Sequence, residues 1–408
     1  MKIKICILGL GYVGLPLILN LSRKFECIGF DVNNTRIDNL KNKKDVNKEF
    51  LANDFRNKKI KFTSNIIDIK NCNFFIICVP TPIFNNKKPN LNDLNSAIIT
   101  ISKILKKNDI IFIESTIYPG LTEKYKNFLV KKTKLSHNRD FFVGYSPERV
   151  NPGDKKNTLE NINKIVSIDT KNPNILSKIF KVYNVVSKKI IFSTNIKSAE
   201  TAKVIENIQR DLNIAFVNEV LLICKKLQIN FKETLRLAET KWNFLRFHPG
   251  LVGGHCLPVD PYYLSNIAAK NNFKTIVTLV GRKTNDSMGR FVLNQLKQFL
   301  KKKKKLIRFS KILIIGLSYK PGIADMRNSI NYKIYKLLLS KKIKAYAFDP
   351  YIQESIKKNH KIVKKINKNN SYDAILFLSN HPRFKKEYKI LNKNKNRSKI
   401  LDPFEYYK

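Results

Sequence analysis

The sequence predicts an α/β fold: two Rossmann-like α/β domains joined by a central helical domain with one long helix. Three observations carry this expectation. Strand-sized apolar runs alternate with helical stretches early in the chain, the pattern of a parallel sheet covered on both faces. From Ala199 to Leu227 apolar residues then recur at helical spacing without a break. A second strand–turn–helix signature opens at Lys311 with KILIIGLSYK.

In chain order, Lys4–Leu8 reads as a buried strand, the glycines after it as a turn, and Val13–Lys24 as a helix. Cys27–Asp31 is the next strand, followed by a helical stretch from Asn33. Phe74–Val79, Ile110–Glu114, Phe141–Tyr145 and Ile165–Ser167 read as further strands, and this unit is expected to end near Ser193. The long helix carries Val204, Ile208, Leu212, Phe216 and Leu222 at its apolar positions. A Pro/Gly-rich loop from Phe247 to Pro261 interrupts the helices that follow, and Lys301–Lys305 reads as a solvated helix end or linker. Lys344–Asp349 and Ala374–Leu378 add strands to the last domain. The expected boundaries are 1–193, 194–305 and 306–408.

Composition narrows the class. The 408 residues hold 78 Lys+Arg against 31 Asp+Glu, a formal charge of +47. Such an excess invites nucleic acid or anionic surfaces as partners. Here, however, the lysines are dispersed and mixed with Asn and Ile, as an AT-rich coding sequence produces. They do not cluster with interleaved aromatics, so no nucleic-acid partner is expected. The six cysteines show neither a C-x-x-C pair nor zinc spacing, which fits a reducing cytoplasm and predicts no metal. Residues 2–21 imitate a signal peptide, but Gly9, Gly11, Gly14 and Pro16 break the stretch and no small-x-small site follows. Other apolar runs fall far short of the roughly 20 residues of a membrane helix, so no membrane insertion is expected.

The chemistry-bearing residues fall into two groups. Gly9-Leu10-Gly11-Tyr12-Val13-Gly14 is a G-x-G-x-x-G turn between a strand and a helix. Its first glycine suits a tight turn, its second a close pyrophosphate, and its third close helix–strand packing. Asp31 ends the next strand, where an acid bonds both ribose hydroxyls and repels a 2′-phosphate; this favours NAD, and Arg36 is the residue that could counter it. Val79-Pro80-Thr81-Pro82 and Glu114-Ser115-Thr116 follow strands, so Pro80, Thr81 and Thr116 are candidates to face the ligand crevice. The second group centres on Cys256 in Gly253-Gly254-His255-Cys256-Leu257-Pro258-Val259-Asp260-Pro261, where the thiol sits among polar and backbone-special residues. Asp260 could handle a proton, whereas His255 could be a base or face away. Lys203 and Asn207 share a helix face at i and i+4, with Arg210 near that stripe, and Glu148 follows another strand end.

Taken together, the chain resembles the UDP-glucose/GDP-mannose dehydrogenase family. The resemblance rests on GLGYVGLPL (9–17), VPTP (79–82), EST (114–116), SPERV (146–150), AETAKVIEN (199–207), GGHCLPVDPYYL (253–264) and LSYKPGIADMR (317–327), which span nearly the full length. KWNFLRFHPGLVGGHC and DPYYL look most like the enzymes acting on UDP-N-acetylhexosamines in surface polysaccharide pathways, UDP-N-acetylglucosamine or UDP-N-acetylgalactosamine. UDP-glucose, UDP-N-acetylmannosamine and GDP-mannose stay open as alternatives. A two-electron hydroxyacid-type dehydrogenase would need neither Cys256 nor a third domain.

The resemblance implies a four-electron oxidation of a C6 alcohol with two NAD+. An aldehyde forms first, then a Cys256 thiohemiacetal, then a thioester that water hydrolyses to the uronate. It assigns oxyanion stabilisation to Lys203 and Asn207, and water or proton handling to Thr116, Glu148 and Asp260. The cofactor set becomes Gly9, Gly11, Tyr12, Val13, Gly14, Asp31, Arg36, Pro80, Thr81, Thr116 and Arg327. On the substrate it implies Glu148, Arg149, Val150, Lys203, Asn207, Arg210, Arg246, His248, Gly254 and Lys320. The third domain would hold UDP, and the long helix would form a homodimer interface. Two stretches depart from the family pattern. F-L-P-F-R-P-G reads Phe244-Leu245-Arg246-Phe247-His248-Pro249-Gly250, and D-D-x-R-E-S reads Ala324-Asp325-Met326-Arg327-Asn328-Ser329.

Overall fold

Strand β1 (Lys4–Leu8) sits inside the first sheet, with β2 (Glu26–Phe30) on one side and β4 (Phe74–Ile77) on the other. The remaining strands are β3 (Ile60–Thr63), β5 (Asp109–Ile113), β6 (Phe141–Tyr145), β7 (Asn163–Ser167) and β8 (Lys189–Ser193). The order is β3-β2-β1-β4-β5-β6-β7-β8. Strand direction of growth reverses between β1 and β4, and such a switch point opens a crevice at the carboxyl ends of the strands. β4, β5 and β6 are buried along their whole length, as parallel strands covered on both faces must be. One pair departs from the all-parallel expectation: β6 and β7 run antiparallel through Tyr145 and Ser167. No helix crosses over between them among the described residues, and an antiparallel neighbour needs no crossover.

Described are residues 2–47, 49–56, 60–150, 158–320, 322, 325–352, 361–366, 371–393 and 397–407 of this computed structural model. They divide into two units, Met1–Glu206 with Tyr262–Phe273, and Asn207–Pro261 with Lys274–Lys408.

In the first unit, helix α1 (Gly14–Leu21) follows the glycine turn and buries seven of its residues against the sheet. It is shorter than the expected Val13–Lys24. Pro16 is tolerated because it lies in the first turn, where its missing N–H would have no partner. Helix α2 (Asn34–Lys41) starts at Asn33, whose side chain accepts from the Arg36 N–H. The helices α3 (Ile66–Ile69), α4 (Asn92–Ser102), α5 (Leu121–Thr133) and α6 (Pro173–Val186) complete the layers; Asn172 caps α6 and Pro173 begins it.

Helix α7 (Ile196–Leu227) spans 32 residues and bears out the expected long helix. Val204 and Ile208 are buried, but Phe216 is exposed, so its place in the apolar pattern does not make it core. The second unit adds α8 (Phe231–Ala238), α9 (Asp260–Lys270), which continues into the first unit, and α10 (Val277–Lys302). The basic run ends α10, and four of its five lysines are exposed, as a solvated helix end should be. A second, parallel sheet has the order β10-β9-β11-β12. Its strands are β9 (Lys311–Ile315), β10 (Lys344–Phe348), β11 (Ala374–Phe377) and β12 (Ile400–Leu401), with helices α11 (Ile330–Ser340) and α12 (Pro382–Asn392). Among the described residues no helix is long and apolar enough to cross a membrane.

Candidate active site

The glycine turn has the shape its sequence requires. Gly9 adopts φ +89°, and its N–H donates to Phe30 O at 2.9 Å. A Cβ on Gly14 would stand 1.9 Å from the Gly9 carbonyl oxygen, so only glycine lets α1 pack here. Gly11, by contrast, is exposed, with nothing within 4 Å of a Cβ. Tyr12 and Val13 continue the turn half-buried. This open backbone at a helix N-terminus fits a pyrophosphate.

Beside the turn, Asp31 is fixed by backbone. Its Oδ2 accepts from Leu10 N at 2.9 Å and its Oδ1 from Asn33 N at 2.9 Å. Arg36 is buried, with Nε on Leu10 O and a terminal nitrogen on Asp45, both at 2.9 Å. Its guanidinium is therefore committed to the fold of the turn, not presented to a 2′-phosphate. The arrangement fits NAD.

The two strand-end loops are stitched together. Thr81 Oγ1 donates to Thr116 O at 2.7 Å, and Ser115 Oγ donates to Val79 O at 2.7 Å. From α9, the Tyr263 hydroxyl donates to Thr81 O and Pro82 O. Pro80 is exposed and Thr116 half-buried.

Glu148 is buried beyond β6. Its Oε1 accepts from Arg149 N at 2.6 Å and Val150 N at 2.5 Å, and its backbone carbonyl accepts from the Lys203 ammonium. Arg149 is spent locally, on Glu206 at 2.7 Å and Asn163 O at 3.2 Å.

In the second unit, Asn207 and Asp260 are both buried, and Asn207 Nδ2 donates to Asp260 Oδ2 at 2.6 Å. The carbonyl of Cys256 accepts from the N–H groups of Val259 and Asp260, each at 2.9 Å. That turn sets the exposed Cys256 thiol just before α9, whose amino end favours negative charge. The other five cysteines are buried.

The two glycines before the thiol are needed for packing. Gly254 adopts φ +95°, and a Cβ there would lie 2.7 Å from the Tyr319 ring; one on Gly253 would meet Asn328 O at 2.8 Å. Asn328 also donates to Gly254 O at 3.3 Å, so this departure from the family pattern still supports the loop. Ala324, the other departure there, lies outside the described residues.

His255 is turned to Asp325, with Nε2 3.2 Å from Oδ2, and Arg327 forks onto the same carboxylate with NH2 at 2.7 Å. Partial burial works against that carboxylate. The His255 and Arg327 hydrogen bonds outweigh it and hold the Asp325 pKa well below the usual range. Arg246 is exposed, 3.7 Å from Glu239, while His248 and Arg210 are exposed and Lys320 half-buried.

Sequence reasoning missed two buried groups. Lys164 lies against Glu114 and Glu148 in the first unit. In the second, Arg282 pairs with Asp211, Asn285 joins them, and Asn218 receives Gly250 N at 2.8 Å and donates to Gly250 O at 3.0 Å. Asn218 thereby clamps the loop that leads to Cys256.

Three domain models of one family, the UDP-glucose/GDP-mannose dehydrogenase family, match the chain in order. They are its NAD binding domain at residues 3–187, its central domain at 197–287 and its UDP binding domain at 313–408. A UDP-N-acetyl-D-glucosamine 6-dehydrogenase of Salmonella typhi is 44% identical over 389 residues, 94% of this chain and 91% of the relative. One from Pseudomonas aeruginosa is 39% identical over 388 residues, 94% of this chain and 92% of the relative. Among solved structures, a UDP-D-ManNAc dehydrogenase from Pyrococcus horikoshii superposes with a TM-score of 0.87 at 30% identity, covering 100% of this chain and 96% of the other. A dinucleotide cradle built for NAD thus heads a chain matched from end to end, and the protein belongs to the UDP-glucose/GDP-mannose dehydrogenase family as an NAD-dependent nucleotide-sugar 6-dehydrogenase.

Proposed function

We propose that the enzyme oxidises the C6 alcohol of a UDP-N-acetylhexosamine, UDP-N-acetylglucosamine or UDP-N-acetylgalactosamine, to the uronate. The observation that carries this choice is the pair of N-acetylglucosamine 6-dehydrogenases at 44% and 39% identity over nearly the whole chain. UDP-N-acetylmannosamine is the second reading, since dehydrogenases of that sugar share 33% identity and the fold. NAD, when bound, supplies the hydride acceptor for both oxidations. The cradle of Gly9, Gly11, Gly14 and Asp31 holds it, with Tyr12, Val13, Pro80, Thr81, Thr116 and Arg327 as further contacts.

The first oxidation removes a proton and a hydride from the C6 carbinol. Cys256 Sγ then bonds to the aldehyde carbon, and the thiohemiacetal gives up its hydroxyl proton and the second hydride to become a thioester. Water adds to that carbon, the C–S bond breaks, and its electron pair returns to Cys256. Lys203 and Asn207 stabilise the oxyanions on C6. Asp260 and Thr116 orient the water, and Glu148 takes its proton. Substrate binding falls to Glu148, Arg149, Val150, Arg210, Arg246, His248, Gly254 and Lys320. The division into residues 1–193, 194–305 and 306–408 would separate cofactor, helical and UDP-binding work.

A homodimer in the cytoplasm completes the proposal. Phe216 and Ile223 are seven residues apart on one face of α7, 58% and 49% exposed, and a second copy would cover them.

The test is NADH formation with each UDP-sugar in turn. An N-acetylglucosamine or N-acetylgalactosamine substrate should exceed the mannosamine and glucose compounds in kcat/KM by about tenfold or more. The reverse order would reject the assignment.

A further inference from the structure

β5, β6 and β7 are neighbours in the first sheet, and each brings one ionisable side chain to a common interior point. Glu114 follows β5, Glu148 follows β6, and Lys164 lies in β7. The side chains of Glu114 and Lys164 are 0% exposed and that of Glu148 is 9% exposed. Lys164 Nζ donates to Glu114 Oε2 at 2.6 Å and to Pro147 O at 3.3 Å, and stands 3.5 Å from Glu148 Oε2. Backbone N–H groups occupy the other Glu148 oxygen, as described above. The ammonium is therefore what faces the oxygen that remains.

Other elements complete the surroundings. Tyr183 from α6 lies under Lys164, with its ring centroid 5.9 Å from Nζ. Cys78 at the end of β4 and Lys203 from α7 are the other titratable neighbours. Burial raises the Tyr183 hydroxyl and the Cys78 thiol well above their ordinary values, so both are neutral at physiological pH. Burial opposes the Lys164 ammonium, but Glu114 and Glu148 together outweigh it, and its pKa rises. Burial also pushes Glu114 up to about 7, against the pull of Lys164. Two carboxylates thus share one buried cation, and Glu114 is placed to take up the proton that balances them.

We propose that Lys164 is a positioning residue for Glu148, with Glu114 as its partner: the buried ammonium, anchored on Glu114 and Pro147 O, fixes the Glu148 carboxylate where it accepts a proton from water. That proton leaves as the water oxygen bonds to the acyl carbon on Cys256 and the C–S bond breaks. The proposal rests on the role given to Glu148 above.

The experiment uses the full-length enzyme with UDP-N-acetylglucosamine and NAD. Rapid mixing follows the first-turnover burst of NADH, intact-protein mass follows the acyl adduct, and kcat and sugar KM are recorded for each variant. Glu148→Gln should keep the burst, accumulate the adduct and lower kcat by about 100-fold. Lys164→Met should also accumulate adduct, with kcat lowered by about tenfold or more and sugar KM unchanged, because the Glu148 carboxylate loses the group that holds it. Lys164→Arg, which keeps a cation there, should restore kcat and clear the adduct. Glu114→Gln should accumulate less adduct than Lys164→Met, because the ammonium loses its shortest partner but still faces Glu148.

A Lys164→Met enzyme that clears the adduct at the wild-type rate overturns the proposal and leaves Lys164 a packing residue. Should that variant not fold, Glu114→Gln decides, and loss of the adduct there at the wild-type rate overturns the proposal equally. If Glu148→Gln gathers no adduct, the reading of Glu148 itself fails, which separates the two failures.

Discussion

Asn207 Nδ2 and Asp260 Oδ2 stand 2.6 Å apart, both residues buried, and Asp260 lies four residues along the chain from Cys256. A buried carboxylate has to be held, and the amide of Asn207 holds it. Asn207→Ala leaves the Asp260 oxygen without that donor and, on the proposed mechanism, removes an oxyanion contact. We expect kcat to fall by about 100-fold while the KM for NAD changes little. Steady-state kinetics decide it, and a variant with wild-type kcat would remove Asn207 from the chemistry.

Cofactor choice turns on Asp31 and Arg36. Asp31→Ala should raise the KM for NAD by about tenfold or more, because the ribose loses its acceptor. It should gain little with NADP, since Arg36 is tied to Leu10 O and Asp45. The ratio of kcat/KM for the two cofactors measures this, and strong NADP use would show that Arg36 can be released.

Gly254→Ala puts a Cβ 2.7 Å from the Tyr319 ring at φ +95°. The strained backbone costs about 1–3 kcal/mol, and the shift it forces moves the Cys256 turn. Urea denaturation should report the loss in stability, and thiol alkylation of Cys256 should change rate alongside it.

Glu114 gives a pH-dependent stability. Its pKa is about 7 in the fold against about 4.5 for an ordinary Glu, so the folded state binds the proton more tightly. A raised acid contributes stability that is present below the unfolded value and lost as pH rises through the folded one. Wild type should therefore lose stability between pH 5 and 7, about the window set by these two values, and Glu114→Gln should lose less. Urea midpoints at the two ends of that window provide the comparison.

How much of this could be read from the chain depended on whether neighbours were local. The runs of β4 and β11 announce buried strands because every residue is apolar, those of β1, β5 and β9 because every residue after the first is, and the glycine turn and Asp31 are fixed by spacing alone. β8 was harder: Ile191 and Phe192 are exposed on an edge strand, so its sequence carries no burial pattern. The antiparallel β6–β7 pair depends on which connection crosses the sheet, which composition does not encode. Lys164 was invisible for a different reason. In a chain with 78 Lys+Arg, a lysine at a strand start looks solvated, and only the adjacent strands show it closed in by Glu114 and Glu148. Likewise Asn218 and Arg282 look like ordinary helix-surface residues until α7 and α10 are seen to carry a shared buried network. His255 could not be placed until Asp325, 70 residues on, was found beside it.

The measurement that tests the central claim most directly is NADH formed per UDP-N-acetylhexosamine consumed, in wild type and in Cys256→Ser. The account predicts two NADH per sugar in wild type, and no completed oxidation to the uronate when the thiol is gone. One NADH per sugar, with Cys256→Ser turning over at the wild-type rate, would contradict it and return Cys256 to a structural role.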